Sequence, residues 1–394
     1  MIEARDFVGP ASALGFTTWT GVPCSFLTPF IDHVIASPEL RWLSSANEGD
    51  AVATAAGISL AGGRGAAMMQ NSGLGNAVSP LTSLTWTFRL PVLLVCTQRG
   101  APGVPDEPQH ALMGPMTPDL LATIGVPCAP FPERTEAIGP ALDQAMAYLA
   151  SERRPYALLM QKGAVAPGAP APVGAARAEA AEPARVERHG FGRAPAARPT
   201  RAEALARVVE RAPVDRSVVV ATTGYTGREL GATLDRPNHF YMVGSMGCAS
   251  SLGLGLALEL PDTEIIVIEG DGAALMRMGN FSTLGAYGGA NLTHVVLDNE
   301  AHESTGGQPT VSATVDFALV AAACGYRSAV SGDDVALVDR VCGNPALPGP
   351  RLLHLKIRMG TRTDLPRPRL APEEVAARLT AHVAGRRPPP PGRG

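Results

Sequence analysis

Two polar side chains in the second half of the chain have the types and spacing that a phosphate-bound metal ion requires. Asp271 lies between Gly270 and Gly272, three residues after the apolar run 265–268 ends, and Asn299 follows the next apolar run. Carboxylate and amide oxygens are ligands that Mg²⁺ accepts together with phosphate oxygens. The glycines let the backbone approach an anion, and a helix that starts here would direct free N–H groups at it. The pattern indicates a Mg²⁺–phosphate site, although Gly-Asp-Gly alone is also compatible with an ordinary turn.

Such side chains need buried strands to hold them, and the sequence predicts these strands in two blocks. Short β-branched runs that end in Gly, Asn or Asp alternate with helical stretches rich in Ala and Leu. Continuous apolar strands that alternate with helices favour parallel sheets covered on both faces. We expect each block to be an open α/β sheet with ligands at the carboxyl ends of its strands. The predicted strands are residues 65–70, 91–97, 156–161, 217–222, 264–269, 292–297 and 352–357.

A change in composition predicts the domain boundaries. From Ala164 to Thr200 the residues Ala, Pro, Gly and Arg dominate and the apolar periodicity disappears, which is typical of a flexible linker. Residues 386–394 contain four consecutive prolines and are expected to be a disordered tail. We therefore expect domains at 1–163 and 200–385 with a linker at 164–199.

Composition excludes several classes of protein. The 394 residues include 33 basic and 36 acidic side chains, and a net charge of −3 disfavours a nucleic-acid-binding protein. No apolar run reaches the roughly 18 residues that span a bilayer. The N-terminal residues have no apolar segment typical of a secretory signal, and the six cysteines are scattered, which favours reduced thiols. We expect a cytoplasmic protein that binds neither nucleic acid nor membrane.

The Asp271 and Asn299 segments resemble the thiamine-diphosphate-dependent 2-oxo acid decarboxylases. The signature of that family is Gly-Asp-Gly followed just under thirty residues later by Asn-Asn, and Asp298 stands here in place of the first Asn. The resemblance implies that Asp271, Asn299 and the backbone oxygen of Ala301 hold Mg²⁺. It also implies the thiamine-diphosphate-binding fold, with a pyrimidine domain, a diphosphate domain and no middle domain between them.

Three further segments resemble cofactor-binding segments of the same family. The segment at Glu48 implies that its carboxyl group bonds N1′ of the pyrimidine and promotes formation of the ylid, although a Glu at a helix start is also a common capping acid. The segment 243–247 implies an aminopyrimidine contact and the segment 222–226 a diphosphate-binding turn, although a core Met and a simple turn are the alternatives. The implied cofactor contacts are Thr223, Gly224, Tyr225, Gly244, Met246, Gly270, Gly272 and Ala273.

The expected substrate pocket has few carboxylates. Ser25 stands where pyruvate decarboxylases carry an Asp, and the position where they carry a Glu falls near Thr305. Drift of the sequence is the alternative explanation. A substrate with a phosphonate and a carboxylate carries about three negative charges, which two buried carboxylates would oppose. Arg99 at a strand end could bind phosphonate through two N–H groups, or could simply be paired with an acid. The implied substrate contacts are Ser25, Asn71, Ser72, Arg99 and Thr305, and the implied proton carriers are His110 and His302.

The detailed resemblance is to the phosphonopyruvate decarboxylases and the related sulfopyruvate decarboxylases. It is carried by residues 69–76, 98–100, 271–279 and 298–308. It implies that 3-phosphonopyruvate loses CO₂ through an ylid and an enamine to give phosphonoacetaldehyde, in phosphonate and antibiotic biosynthesis. The alternatives are a sulfopyruvate decarboxylase, another 2-oxo acid decarboxylase or carboligase, and a binding module or subunit without turnover. The resemblance further implies a homodimer or higher homo-oligomer with the site at the subunit interface.

Overall fold

Two parallel sheets organise the chain, one in each of two units that span Met1–Arg177 and Ala178–Pro388. The structure is a computed structural model that describes residues 1–171, 184–362 and 364–388. All seven strands that the sequence predicts are present, with bounds that differ by at most one residue at either end. The prediction of two open parallel-sheet α/β domains is confirmed.

The sheet of the first unit has six strands in the order β2-β1-β3-β4-β6-β5. The order reverses between β1 and β3, and ligands of open parallel sheets bind at the carboxyl ends of the strands at such a point. Its strands are β1 Thr18–Gly21, β2 Arg41–Ser44, β3 Gly65–Gln70, β4 Val92–Thr97, β5 Cys128–Pro130 and β6 Tyr156–Met160.

The sheet of the second unit has seven parallel strands in the order β7-β14-β15-β11-β10-β8-β9. Its order reverses between β8 and β10, so the same rule places a ligand beside the carboxyl end of β10. A separate two-stranded antiparallel ribbon, β12–β13, follows β11. The strands are β7 Arg185–Arg188, β8 Ser217–Ala221, β9 His239–Tyr241, β10 Glu264–Gly270, β11 Leu292–Asp298, β12 Ala301–His302, β13 Gln308–Pro309, β14 Ser328–Gly332 and β15 Arg351–Lys356.

Helices connect the strands and cover the faces of each sheet, as parallel pairing requires. The first unit contains α1 Ala4–Ala13, α2 Thr28–Ala36, α3 Glu48–Leu60, α4 Leu74–Pro80, α5 Trp86–Phe88, α6 Met113–Thr123 and α7 Ile138–Ser151. The second contains α8 Arg201–Glu210, α9 Tyr225–Thr233, α10 Ala249–Glu259, α11 Asp271–Met276, α12 Asn280–Tyr287, α13 Phe317–Ala323, α14 Leu337–Val341 and α15 Pro372–Val383. Among the described residues, no helix has the length and apolar character needed to cross a bilayer.

The segment expected to be a linker contains ordered structure at both of its ends. Val165 is buried and pairs with Ile2, and the backbone N–H of Ala166 donates to Ile2 O at 2.8 Å. Strand β7 pairs in parallel with β14 at the edge of the second sheet. The prediction of a flexible linker is therefore wrong for these residues, because edge strands carry charged side chains and lack the apolar runs of central strands. Residues 172–183 of the expected linker and 389–394 of the expected tail lie outside the described residues.

Candidate active site

Strands β8, β10 and β11 bring the two predicted metal-ligating segments together. Asp271 directly follows β10, whose register pairs Gly270 with Leu297 of the neighbouring strand. The Asp271 side chain is 2% exposed and accepts a hydrogen bond from the Thr310 hydroxyl. Burial raises the pKa of Asp271, the hydrogen bond from Thr310 lowers it, and the net shift is upward. A cation beside this carboxylate would offset the cost of its burial.

The Asn299 amide is oriented by hydrogen bonds at both of its ends. Its Nδ2 donates to Oε2 of Glu303 at 3.0 Å, and its Oδ1 accepts from the backbone N–H of Ala301 at 3.2 Å. Glu303 is in turn paired with the buried Arg201, which also donates to Glu229 at 3.1 Å. Sequence reasoning missed Glu303 and Arg201, although an acid four residues after Asn299 lies within the segment that carried the resemblance.

One cavity joins most of the residues that the sequence predicted for the second unit. Gly244 and Thr305 are outside its lining, and the Thr305 hydroxyl donates to the backbone oxygen of His302 at 3.1 Å. The predicted residues that line the cavity are Thr223, Gly224, Tyr225, Met246, Gly270, Asp271, Gly272, Ala273, Asn299, Ala301 and His302.

The cavity wall suits an anionic group. Helix α9 begins after Gly224, which has a φ of 92° and supplies no side-chain cap, so the first N–H groups of the helix are open to a ligand. A Cβ added to Gly224 would lie 3.3 Å from Oγ of Ser304. The buried hydroxyl of Thr222 has no hydrogen-bond partner among the described residues. These features fit the diphosphate group that the resemblance implies.

Another part of the cavity lining is shaped by a close approach between His302 and Gly272. A Cβ added to Gly272 would lie 2.8 Å from Nδ1 of His302 and 3.2 Å from the terminal methyl carbon of Met246. Glycine at position 272 therefore makes room for both side chains, which face the same space. His302 is half-buried.

In the first unit, the start of α3 presents Glu48 beside α4. Asn47 caps the helix by accepting from the backbone N–H of Gly49 at 2.8 Å. The Glu48 carboxylate accepts from Nδ2 of Asn76 at 2.8 Å through Oε2, and a Cβ added to Gly73 would overlap its Oε1. The side chain is half-buried, and its position depends on glycine at residue 73.

Arg99 is paired with an acid that sequence reasoning missed. Its Nε donates to Oδ2 of Asp106 at 2.7 Å and its Nη2 donates to Oδ1, while its Nη1 donates to Oγ of Ser25 at 3.1 Å. Hydrogen bonds from Arg99 hold the pKa of Asp106 well below its usual range. The Phe26 ring lies 4.6 Å from the guanidinium carbon. Nη1 is therefore directed towards Ser25, which is exposed in the turn that follows β1.

The other predicted residues of the first unit divide into buried and exposed groups. Asn71 donates both amide protons, to Arg99 O and to Oγ1 of Thr117, each at 2.9 Å, so it ties β3 to β4 rather than facing a substrate. This differs from the expected substrate contact, because the side chain is fully buried. Ser72 is exposed, and His110 is 4% exposed with no partner for Nδ1 among the described residues.

Two family models match the two units. Residues 5–122 match the N-terminal domain, and residues 223–342 the C-terminal domain, of the thiamine pyrophosphate enzymes. The chain belongs to this family. A phosphonopyruvate decarboxylase from Streptomyces viridochromogenes is 46% identical over 386 residues, which cover 97% of this chain and 95% of the relative.

Other thiamine pyrophosphate enzymes are similar over most of the chain. A sulfopyruvate decarboxylase from Methanosarcina acetivorans is 29% identical over 382 residues, covering 91% of this chain and 92% of the relative. A solved structure from Mycobacterium smegmatis, assigned to the thiamin diphosphate-dependent enzymes, covers 91% of this chain and is itself covered completely, with a TM-score of 0.68 at 15% identity. That structural likeness shows the fold.

Membership of the thiamine pyrophosphate enzymes identifies thiamine diphosphate as the cofactor. In the described part of the chain, no group of three or more His, Cys, Asp or Glu side chains is placed to hold a metal ion. An ion at Asp271 would therefore need amide, backbone and phosphate oxygens to complete its coordination, which suits Mg²⁺ bound together with a diphosphate.

Proposed function

We propose that this thiamine pyrophosphate enzyme decarboxylates 3-phosphonopyruvate to phosphonoacetaldehyde and CO₂ with the help of Mg²⁺. The observation that carries the proposal is 46% identity to a phosphonopyruvate decarboxylase over 97% of the chain. The presence of both Glu48 and Asp271 in one chain supports turnover over a binding module or a subunit without activity.

The residues of the second unit would hold the cofactor. The N-terminus of α9 and Gly272 would bind the diphosphate, and Asp271, Asn299 and the backbone oxygen of Ala301 would bind Mg²⁺. Met246 would support the pyrimidine and thiazolium rings from the cavity wall. Gly244 would offer its carbonyl group to the amine of the pyrimidine.

Thiamine diphosphate supplies the nucleophilic carbon and the electron sink that decarboxylation of a 2-oxo acid needs. Glu48 would hold a proton at N1′ of the pyrimidine, and Asn76 keeps its carboxylate in place through Oε2. His302 and His110 are the groups that would deliver a proton to the substrate carbon after CO₂ has left, because an imidazole ring can both donate and accept a proton.

The substrate would meet hydroxyl and guanidinium groups in the first unit. The Nη1 edge of Arg99 and Oγ of Ser25 would bind an anionic head group, while Asp106 fixes the guanidinium plane through its other edge. Ser72 of the first unit and Thr305 of the second would contact the substrate from exposed positions. This arrangement favours a dianionic phosphonate, although a sulfonate has the same tetrahedral shape and is the competing substrate.

Comparison of three substrates tests the proposal. Purified protein with thiamine diphosphate and Mg²⁺ should release CO₂ from phosphonopyruvate with a higher kcat/KM than from sulfopyruvate or pyruvate. Phosphorus NMR should identify phosphonoacetaldehyde as the product. A matched Asp271→Ala variant should retain the fold by circular dichroism but neither bind the cofactor nor turn over. Preference for sulfopyruvate would assign the alternative activity, and turnover of no 2-oxo acid would contradict the decarboxylase proposal.

We also propose that the working unit is a homodimer or a higher homo-oligomer in which the Glu48-bearing unit of one subunit completes the metal-bearing unit of another. The family resemblance supports this arrangement. Leu112, Met276 and Val311 are large apolar side chains, between 60% and 78% exposed, that such an interface would cover. An obligate interface of this kind would bury more than about 2,000 Å².

A further inference from the structure

Asp298, the residue that replaces the first Asn of the family signature, is a fully buried carboxylate with four hydrogen-bond donors around it. Its Oδ2 accepts from Nε2 of His354 and from Nζ of Lys356, each at 2.8 Å. Its Oδ1 accepts from the backbone N–H of Glu300 at 3.0 Å and from Oγ of Ser312 at 2.8 Å. These donors use all of the lone pairs of a carboxylate, which an amide oxygen could not match.

The cation beside Asp298 is well placed to neutralise it. Lys356 is one of only two lysines in the chain and is 5% exposed on β15. Its Nζ also donates to Oε1 of Glu300. The pairing of β11 with β15 places Asp298 directly opposite Lys356. Because a buried carboxylate without a partner is strongly unfavourable, Lys356 is what permits Asp in place of Asn at residue 298.

Both oxygens of Asp298 lead to the segments that would bind the metal. The backbone N–H of Glu300 donates to Oδ1 of Asp298, and Glu300 lies between Asn299 and Ala301. Its φ of 61° is a conformation that needs support in a residue other than glycine. The backbone N–H of Ser312 donates to Oγ1 of Thr310 at 3.3 Å, and the Thr310 hydroxyl donates to Asp271. A single buried carboxylate therefore connects the Asn299 segment with the Asp271 segment.

We propose that Asp298 and Lys356 form a buried charge pair that positions the two metal-ligating segments. Lys356 is a positioning residue: it is outside the lining of the cavity that contains Asp271 and Asn299, and it acts through Asp298. This inference rests on the proposed metal site. Loss of the lysine would leave Asp298 charged and uncompensated, so that the turn at Glu300 and the Thr310–Ser312 link would rearrange to solvate it.

The test measures Mn²⁺ affinity by electron paramagnetic resonance in the presence of saturating thiamine diphosphate. The variants are Lys356→Met, Asp298→Asn and the double variant, with Lys162→Met as matched control because Lys162 is the other lysine and is exposed. Chemical denaturation of each protein without metal, at the temperature of the binding measurement, gives its free energy of unfolding and shows whether it is folded there. A merely structural role for Lys356 would lower this free energy without changing the affinity of the folded protein for Mn²⁺.

Lys356→Met should weaken Mn²⁺ binding by about 10- to 100-fold, the usual effect of removing a partner of a metal-ligating segment. Lys162→Met should bind as the wild type does. In the Asp298→Asn background, the Lys356→Met change should alter the affinity by no more than about twofold, because the charge to be neutralised is gone. This comparison also decides the matter if Lys356→Met alone does not fold.

Unchanged Mn²⁺ affinity in Lys356→Met would overturn the charge-pair inference and leave the proposed function intact. The inference would also be overturned if Lys356→Met lowered the Mn²⁺ affinity equally in the wild-type and Asp298→Asn backgrounds. A wild-type protein that binds no Mn²⁺ in the presence of thiamine diphosphate would instead overturn the proposed metal site, and this inference with it.

Discussion

The position of the Glu48 carboxylate depends on a neighbour that has no side chain. Gly73 lies against Oε1 of Glu48, and Asn76 holds Oε2. The neighbouring Gly75, in contrast, has open space where a Cβ would stand. Gly73 is therefore required to leave space for the Glu48 carboxylate, whereas Gly75 can be replaced by a residue with a side chain.

Substitution of these two glycines should separate their effects. Gly73→Ala should push Glu48 from its position and lower kcat on the order of 10²-fold, the usual effect of misplacing a reacting group by about 1 Å. Gly75→Ala, inside α4, should leave kcat unchanged and stabilise the helix by up to about 1 kcal/mol. Steady-state kinetics and chemical denaturation of both variants check the expectation. Equal kcat in the two variants would contradict the assigned role of Gly73.

Replacing the carboxyl group itself tests its acid–base role. Glu48→Gln should retain the cofactor but lose at least about 10²-fold in kcat, because the amide cannot supply a proton to N1′ of the pyrimidine. Hydrogen–deuterium exchange at C2 of the bound cofactor, followed by proton NMR, is the direct measurement. Exchange at the wild-type rate in this variant would mean that Glu48 has been assigned wrongly.

At the scale of elements, the edge strand β9 carries a buried histidine with an unusual proton affinity. Burial, assisted by the charge of Arg236, lowers the pKa of His239 to about 3. The side chain is fully buried, its Nε2 has no partner among the described residues, and its Nδ1 lies 3.5 Å from the Tyr241 hydroxyl. The folded protein therefore keeps this imidazole neutral in a range where the unfolded chain protonates it.

This difference in proton affinity predicts a pH dependence of stability. The pKa of His239 is lower in the folded state than in the unfolded state. Its contribution to the free energy of unfolding is therefore complete above about pH 6.5 and is lost as the pH falls. Between pH 7 and pH 5 the free energy of unfolding should fall by about 2 kcal/mol more in the wild type than in His239→Gln. Urea denaturation at the two pH values measures this change in the free energy of unfolding. His189→Gln is the control, because His189 is exposed. An identical pH dependence in wild type and His239→Gln would contradict the assignment.

At the scale of the whole molecule, the proposed site needs residues from two different units. Glu48 belongs to the first unit and Asp271 to the second, and each is positioned by its own sheet. If the units that share a cofactor come from different subunits, two inactive chains can form one intact site. A monomer could not regain activity in this way.

Mixing inactive chains tests the shared site. Glu48→Gln and Asp271→Ala proteins, exchanged in equal amounts, should recover about a quarter of wild-type activity, because about half of the dimers are mixed and one of their two sites is intact. Subunit exchange is verified by differently tagged chains. A fully active monomer in light scattering, or no recovery after proven exchange, would contradict the shared-site proposal.

The sequence by itself predicted the central strands, the two-domain α/β fold and the residues around Asp271. Buried parallel strands carry continuous apolar runs, and backbone approach to a phosphate needs glycine, so both leave marks in the local sequence. It did not predict the edge strand β7 or the short strands β1, β2, β5, β9 and β14, because polar residues interrupt their apolar runs or only a few residues form them.

Only the tertiary structure decided which polar groups pair with one another. It paired Arg99 with Asp106, buried Asn71 against Thr117 and joined Asp298 to Lys356 across 58 positions of the sequence. Such contacts depend on strand order and register, which bring distant residues to the same sheet edge. A charge that is unfavourable in isolation becomes stable when its partner arrives from another strand, and no local pattern records that partner.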